Sequence, residues 1–130
     1  MPHLTVEYTD NLGEGADIAS LLRALTGVLR ERGDVFPIGG IRVRAIRLSE
    51  YVIADGAEDD AFVHATLKIG AGRSEDVKAE TGRALFDVMA GHFAEVYASR
   101  FLALSLEVQE FSEAGTHKQN NIHARFRAAP

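Results

Sequence analysis

Apolar and polar positions alternate from the third residue onward. Leu4, Val6 and Tyr8 share one parity and Thr5 and Glu7 the other, the two-residue period of a half-buried strand. A polar, glycine-containing loop follows over 9–15, and the period then changes. From Ile18 through Leu21, Leu22, Leu25, Val28 and Leu29 the apolar residues recur every three or four positions, which predicts an amphipathic helix. Asp17 is its expected cap, Arg30 and Arg32 suit the negative end of its dipole, and Gly33 is the expected stop. Phe36-Pro37-Ile38-Gly39-Gly40 reads as a turn, and Ile41 to Leu48 as a second strand.

The same order repeats. A mixed loop over 51–60, with Asp55-Gly56 as its turn signal, leads into Ala61–Ile69. There Val63, Ala65, Leu67 and Ile69 alternate with Phe62, His64, Thr66 and Lys68. After Gly70-Ala71-Gly72-Arg73-Ser74, Glu75 and Asp76 mark the first turn of a second helix. Its stripe is Val77, Thr81, Ala84, Leu85, Val88, Met89, Phe93 and Val96. Leu102, Leu104, Leu106 and Val108 then alternate as a fourth strand, and 117–126 is a polar short strand or arm. The expectation is one domain over 1–130, with β-α-β halves at about 2–50 and 60–111 and an arm at 112–130. Strands joined through a packed helix run parallel with a right-handed crossover. Two such units make an α+β sandwich, a four-stranded sheet with both helices on one face. The apolar fourth strand is expected to bring the open face against other subunits.

Composition narrows the classes. A chain of 130 residues, 46% of them apolar, can build one real core. A net charge of −5 argues against a general nucleic-acid role, which needs a basic surface. No apolar run approaches the roughly 18 residues that span a bilayer. The start lacks the basic-then-apolar pattern of a secretory signal, so the cytoplasm is the expected compartment. There are no cysteines, hence no disulfides, thiolate nucleophiles or cysteine zinc sites.

Three features could carry chemistry. Pro2 follows the initiator Met, and its small size permits removal of Met1. That would leave a secondary amine in a fixed direction. Burial and nearby cations favour the neutral form of such an amine, making it a competent base; it is otherwise an ordinary terminal residue. The second feature is the Gly70–Ser74 loop. It lacks the Gly-Lys-[Ser/Thr] of a phosphate loop, and Glu75 stands where a dinucleotide fingerprint needs its third glycine. It does expose backbone N–H groups at a helix start. Arg73 there is electrostatically disfavoured unless an anion compensates it, either a ligand or a carboxylate such as Glu75 or Asp76. The third is Arg42 and Arg44 on one strand face, with Arg47 on the other. They could recognise carboxylates or simply pair with Glu7 or Glu107. The five histidines include no close ligand pair, so metal binding is not expected, and His64 and His92 read as packed or surface residues.

Taken together, Pro2-His3, Gly40-Ile41-Arg42, Phe62-Val63-His64, the run Leu67 to Ser74, and Lys118-Gln119-Asn120-Asn121 resemble the 5-carboxymethyl-2-hydroxymuconate isomerase family. That family belongs to the tautomerase superfamily of amino-terminal proline enzymes. The resemblance extends from Pro2 to about Phe126. It implies a homotrimer and the movement of a proton within a small anionic unsaturated acid, in the breakdown of the aromatic acid homoprotocatechuate. It implies no organic cofactor or metal. Pro2 matches the family's catalytic proline, and Arg42 and Arg73 its two functional arginines. Alternatives on the same fold are decarboxylation or dehalogenation of small unsaturated acids, or a non-catalytic binding module. Hydration chemistry would require a carboxylate beside Pro2, and Glu7 is not obviously placed to supply one.

Overall fold

A computed structural model describes residues 1–127. Its strands are β1 (His3–Thr9), β2 (Arg42–Leu48), β3 (Ala61–Gly70) and β4 (Leu102–Phe111). Helix α1 spans Ile18–Arg30, α2 spans Glu75–His92 and a short α3 spans Ala94–Ser99. The sheet order is β2-β1-β3-β4. Within each half the strands are parallel, and the halves meet where β1 runs antiparallel to β3.

The alternation in β1 and β3 has the expected outcome. Leu4, Val6, Val63, Ala65, Leu67 and Ile69 are buried against Leu21, Leu25 and Leu29 of α1 and Leu85 and Met89 of α2. Each fully buried aliphatic side chain contributes about 1.5–3 kcal/mol. Asp17 caps α1, its carboxylate accepting from Ser20 N at 3.4 Å, and does so from a left-handed backbone that Asp tolerates. Helix α1 stops at Arg30, three residues before Gly33, and a turn carries the chain on. The second apolar stripe does not belong to one helix. The chain breaks at Phe93, whose buried ring lies edge-on to His92, so Val96 falls in α3.

One expectation about the sheet is corrected. Register pairs Leu104, Leu106 and Val108 with Val63, Ala65 and Leu67, so the apolar side of β4 joins the helix-covered face. The open face is polar instead. His64 contacts Ser105 at 2.7 Å and Glu107 at 3.3 Å, and Arg44 contacts His3 at 3.2 Å. An apolar open face therefore provides no argument for assembly. Beyond β4, the segment expected as a strand or arm packs across one sheet end and closes in a 3-10 turn, Ile122–Phe126. Positions 128–130 of that arm lie outside the described residues. Among the described residues, no helix is long and apolar enough to cross a membrane.

Candidate active site

The mixed topology decides where distant residues meet. Because β1 and β2 run opposite to β3 and β4, the starts of the first pair lie beside the ends of the second. Pro2, Arg42, Gly70–Arg73 and the residues after Phe111 therefore gather at one end of the sheet. The backbone locks the first two together, with Arg42 N donating to the Pro2 carbonyl at 3.0 Å. Pro2 is buried.

Both arginines are held by backbone carbonyls. Arg42 Nη1 donates to Gly39 O and Ile41 O, each at 3.1 Å. Arg73 Nη1 donates to Gly70 O at 3.1 Å and Nη2 to Val35 O at 3.0 Å, while its guanidinium lies 5.3 Å from the Phe36 ring centroid. Among the described residues, neither arginine forms an ion pair. Glu75 pairs with Lys78, and Glu107 with His64. Of the carboxylates considered for these arginines, Glu75 and Glu107 are engaged elsewhere, and neither Glu7 nor Asp76 forms an ion pair with them. A guanidinium has five N–H donors, so each arginine keeps donors for an anion. Arg44 is turned to His3, and Arg47 lies on the opposite face, as alternation requires. His92 donates to Ala16 O at 2.7 Å and is structural.

Met1 stands between two cavities and lines both. One, about 370 Å³, is also bordered by His3, Arg42, Phe111, His117 and Lys118. The other, about 340 Å³, is bordered by Pro37, Gly40, Arg73, Lys118, Asn120 and His123. A larger groove of about 600 Å³ runs between α2 and β4, but none of Pro2, Arg42 and Arg73 borders it. The terminal Met1 amine is held below its ordinary pKa of 8.0, first by burial and then by Lys118, Arg73 and Arg42, with Glu113 opposing them. His3 is likewise lowered from 6.5, by burial and then by Arg44 and Arg42.

Two residues here escape strand-and-helix periodicity. Lys118 sits in the conspicuous Lys118–Asn121 run, but only the path of the arm carries it over the chain start. Glu113 belongs to no motif. Its Oε1 lies 3.0 Å from where a Gly70 Cβ would stand, and Arg73 Nη1 lies 3.6 Å from the same point. Glu7 is remote from this end, paired in register with His64 and Ile46. Glycines make the crowding possible. A Cβ on Gly39 would come within 2.6 Å of His123 Nδ1, and one on Gly40 within 3.5 Å of Met1 Cα.

Fold and site define an α+β scaffold of paired β-α-β units with a cationic pocket at the chain start, and the family that the chain matches is one of isomerases. The sequence profile of the 5-carboxymethyl-2-hydroxymuconate isomerase family matches residues 2–126, and the chain belongs to that family. The 5-carboxymethyl-2-hydroxymuconate Delta-isomerase of Escherichia coli is 44% identical over 127 residues, covering 98% of this chain and all of that protein. The crystal structure of a 5-carboxymethyl-2-hydroxymuconate isomerase from Deinococcus radiodurans R1 is 64% identical with a TM-score of 0.94, covering 98% of this chain and 95% of that one. A fused 4-OT solved as a symmetric trimer matches with a TM-score of 0.66 at 19% identity, over 89% of this chain and 92% of that one, and shares the fold alone.

Proposed function

We propose that this isomerase acts on 5-carboxymethyl-2-hydroxymuconate or a close relative, with the Pro2 amine as its base after Met1 is removed. The observation that carries this reading is the position of the chain start, buried between Arg42 and Arg73 and bordered by cavities on both sides. With Met1 attached, Pro2 nitrogen is a tertiary amide with no basic lone pair. Once Met1 is gone, a secondary amine stands at the chain start that the two cavities flank. Burial and the same cations favour that amine in its neutral form.

The chemistry needs no outside reactant. The neutral amine takes the proton of the 2-hydroxyl group of the dienol, leaving a dienolate and a protonated amine. The protonated amine returns the proton to a carbon farther along the conjugated system, giving the isomeric 2-oxo acid, so the atoms are conserved. Arg73 holds the carboxylate nearest the reacting carbon, and Arg42 the other end or the developing enolate oxygen. Positive charge there is worth most in the transition state, when negative charge is greatest. Assembly as a trimer belongs to the same reading, supported by the fused 4-OT neighbour.

The experiment combines intact-mass measurement with kinetics on the conjugated hydroxymuconate. Chains that have lost Met1 should turn over and chains that keep it should not. Pro2→Ala should lower kcat by about 100-fold or more, the usual scale for losing a well-placed general base. Unchanged turnover in Pro2→Ala, or full activity with Met1 retained, overturns the proposal.

A further inference from the structure

We infer that Lys118 is a third anion receptor in this site, and that it reads the carboxymethyl branch of the substrate. The inference rests on the substrate class proposed above. A muconate carries two carboxylates and the carboxymethyl branch adds a third, whereas the arginines considered so far number two. Lys118 borders both cavities flanking the chain start, the one with Arg42 and the one with Arg73. Among the described residues it forms no ion pair. An ammonium between two guanidinium groups is unfavourable unless an anion joins them. Nearby Glu113 supplies one negative charge against three positive ones, and does not pair with any of them within 4.0 Å.

The backbone around Lys118 is held on both sides. Upstream, Thr116 Oγ1 donates to Ser112 O at 2.6 Å and Thr116 N to Glu113 O at 3.3 Å. Downstream, Asn120 Nδ2 donates to Gly39 O at 2.8 Å and Asn120 Oδ1 accepts from Ile122 N at 2.8 Å. Gly39 O is also the carbonyl that receives Arg42 Nη1. Arg42 and the arm bearing Lys118 are therefore fixed to one atom. A dicarboxylate leaves Lys118 without a partner, and a tricarboxylate engages all three cations.

The test compares two substrates in the Met1-processed enzyme at its plateau pH. These are 5-carboxymethyl-2-hydroxymuconate and 2-hydroxymuconate, which lacks the branch. Lys118→Gln should raise KM for the tricarboxylate by about 10- to 100-fold, the scale of a lost charge-assisted hydrogen bond. KM for the dicarboxylate should change by less than about threefold on the same scale. Lys118→Arg should recover most of the loss. An equal loss on both substrates, or no loss on either, overturns the assignment. Calorimetric binding of propane-1,2,3-tricarboxylate against glutarate gives a readout independent of turnover. Wild-type enzyme should prefer the tricarboxylate and Lys118→Gln should not. If wild type turns over neither muconate, the functional proposal fails while this binding comparison still decides the role of Lys118.

Discussion

Arg73 donates a hydrogen bond across the two halves of the chain, from Nη2 to the carbonyl of Val35 at 3.0 Å. With the second bond to Gly70 O and the Phe36 ring beneath it, the guanidinium is fixed before any substrate arrives. A lysine keeps the charge but cannot make both backbone bonds and still present a planar pair of donors. Arg73→Lys is expected to raise KM by about 10-fold, and Arg73→Ala by about 100-fold. A deficit confined to kcat would move Arg73 from the carboxylate to the enolate.

How far the sequence reaches is visible in these same residues. Strands and helices were legible because their burial repeats with a fixed period, as Leu4–Val6 and Leu21–Leu25–Leu29 do. Pro2, Arg42 and Arg73 were legible as types in suggestive positions, and topology brings them to one end of the sheet. The carbonyls that hold Arg73 were not, since Val35 becomes a partner only when the halves pack. Nor was Glu113, and of Lys118 only the motif was legible and not its place, because an irregular arm has no period to betray its path. The side of β4 that meets the helices is not legible in the sequence for a related reason. Alternation gives two faces but does not say which one the helices cover, and the pairing with β3 decides that.

Gly39 tests whether the arm is needed. Its missing Cβ is occupied on one side by His123, whose backbone Cα and N would lie 2.8 and 2.9 Å away. Backbone cannot yield as a flexible side chain can. Gly39→Ala should cost about 1–3 kcal/mol of stability, measured by chemical denaturation. It should also weaken substrate binding by displacing the arm. Gly40→Ala makes only an ordinary contact with Met1 and is the milder change. Equal effects of the two substitutions would contradict this packing.

Gly27 offers the opposite sign far from the site. It lies within α1, its φ is not positive, and a Cβ there would meet nothing within 4 Å. Glycine in a helix interior costs about 0.5–1 kcal/mol relative to alanine, because the unfolded chain has more freedom to lose. Gly27→Ala should raise the thermal midpoint by a few degrees and leave kcat/KM alone. A fall in the midpoint would mean that this helix face is occupied in the functional assembly.

The chain start should also set the pH dependence. Burial, Lys118, Arg73 and Arg42 hold the Met1 amine below its ordinary pKa of 8.0, and Glu113 pulls the other way. After Met1 is removed, the Pro2 amine faces the same groups, with His3 and its neighbour Arg44 close by. A base is active when neutral, so kcat/KM should climb with pH as this amine loses its proton. Glu113→Gln removes the one charge that favours protonation. Its acid limb should shift to lower pH, whereas Lys118→Gln should shift the limb to higher pH. The pair of shifts separates an electrostatic effect on the amine from general damage, which would lower the plateau without moving the limb in opposite directions. Limbs that move together, or in the reverse order, would remove the chain-start amine from the role of base.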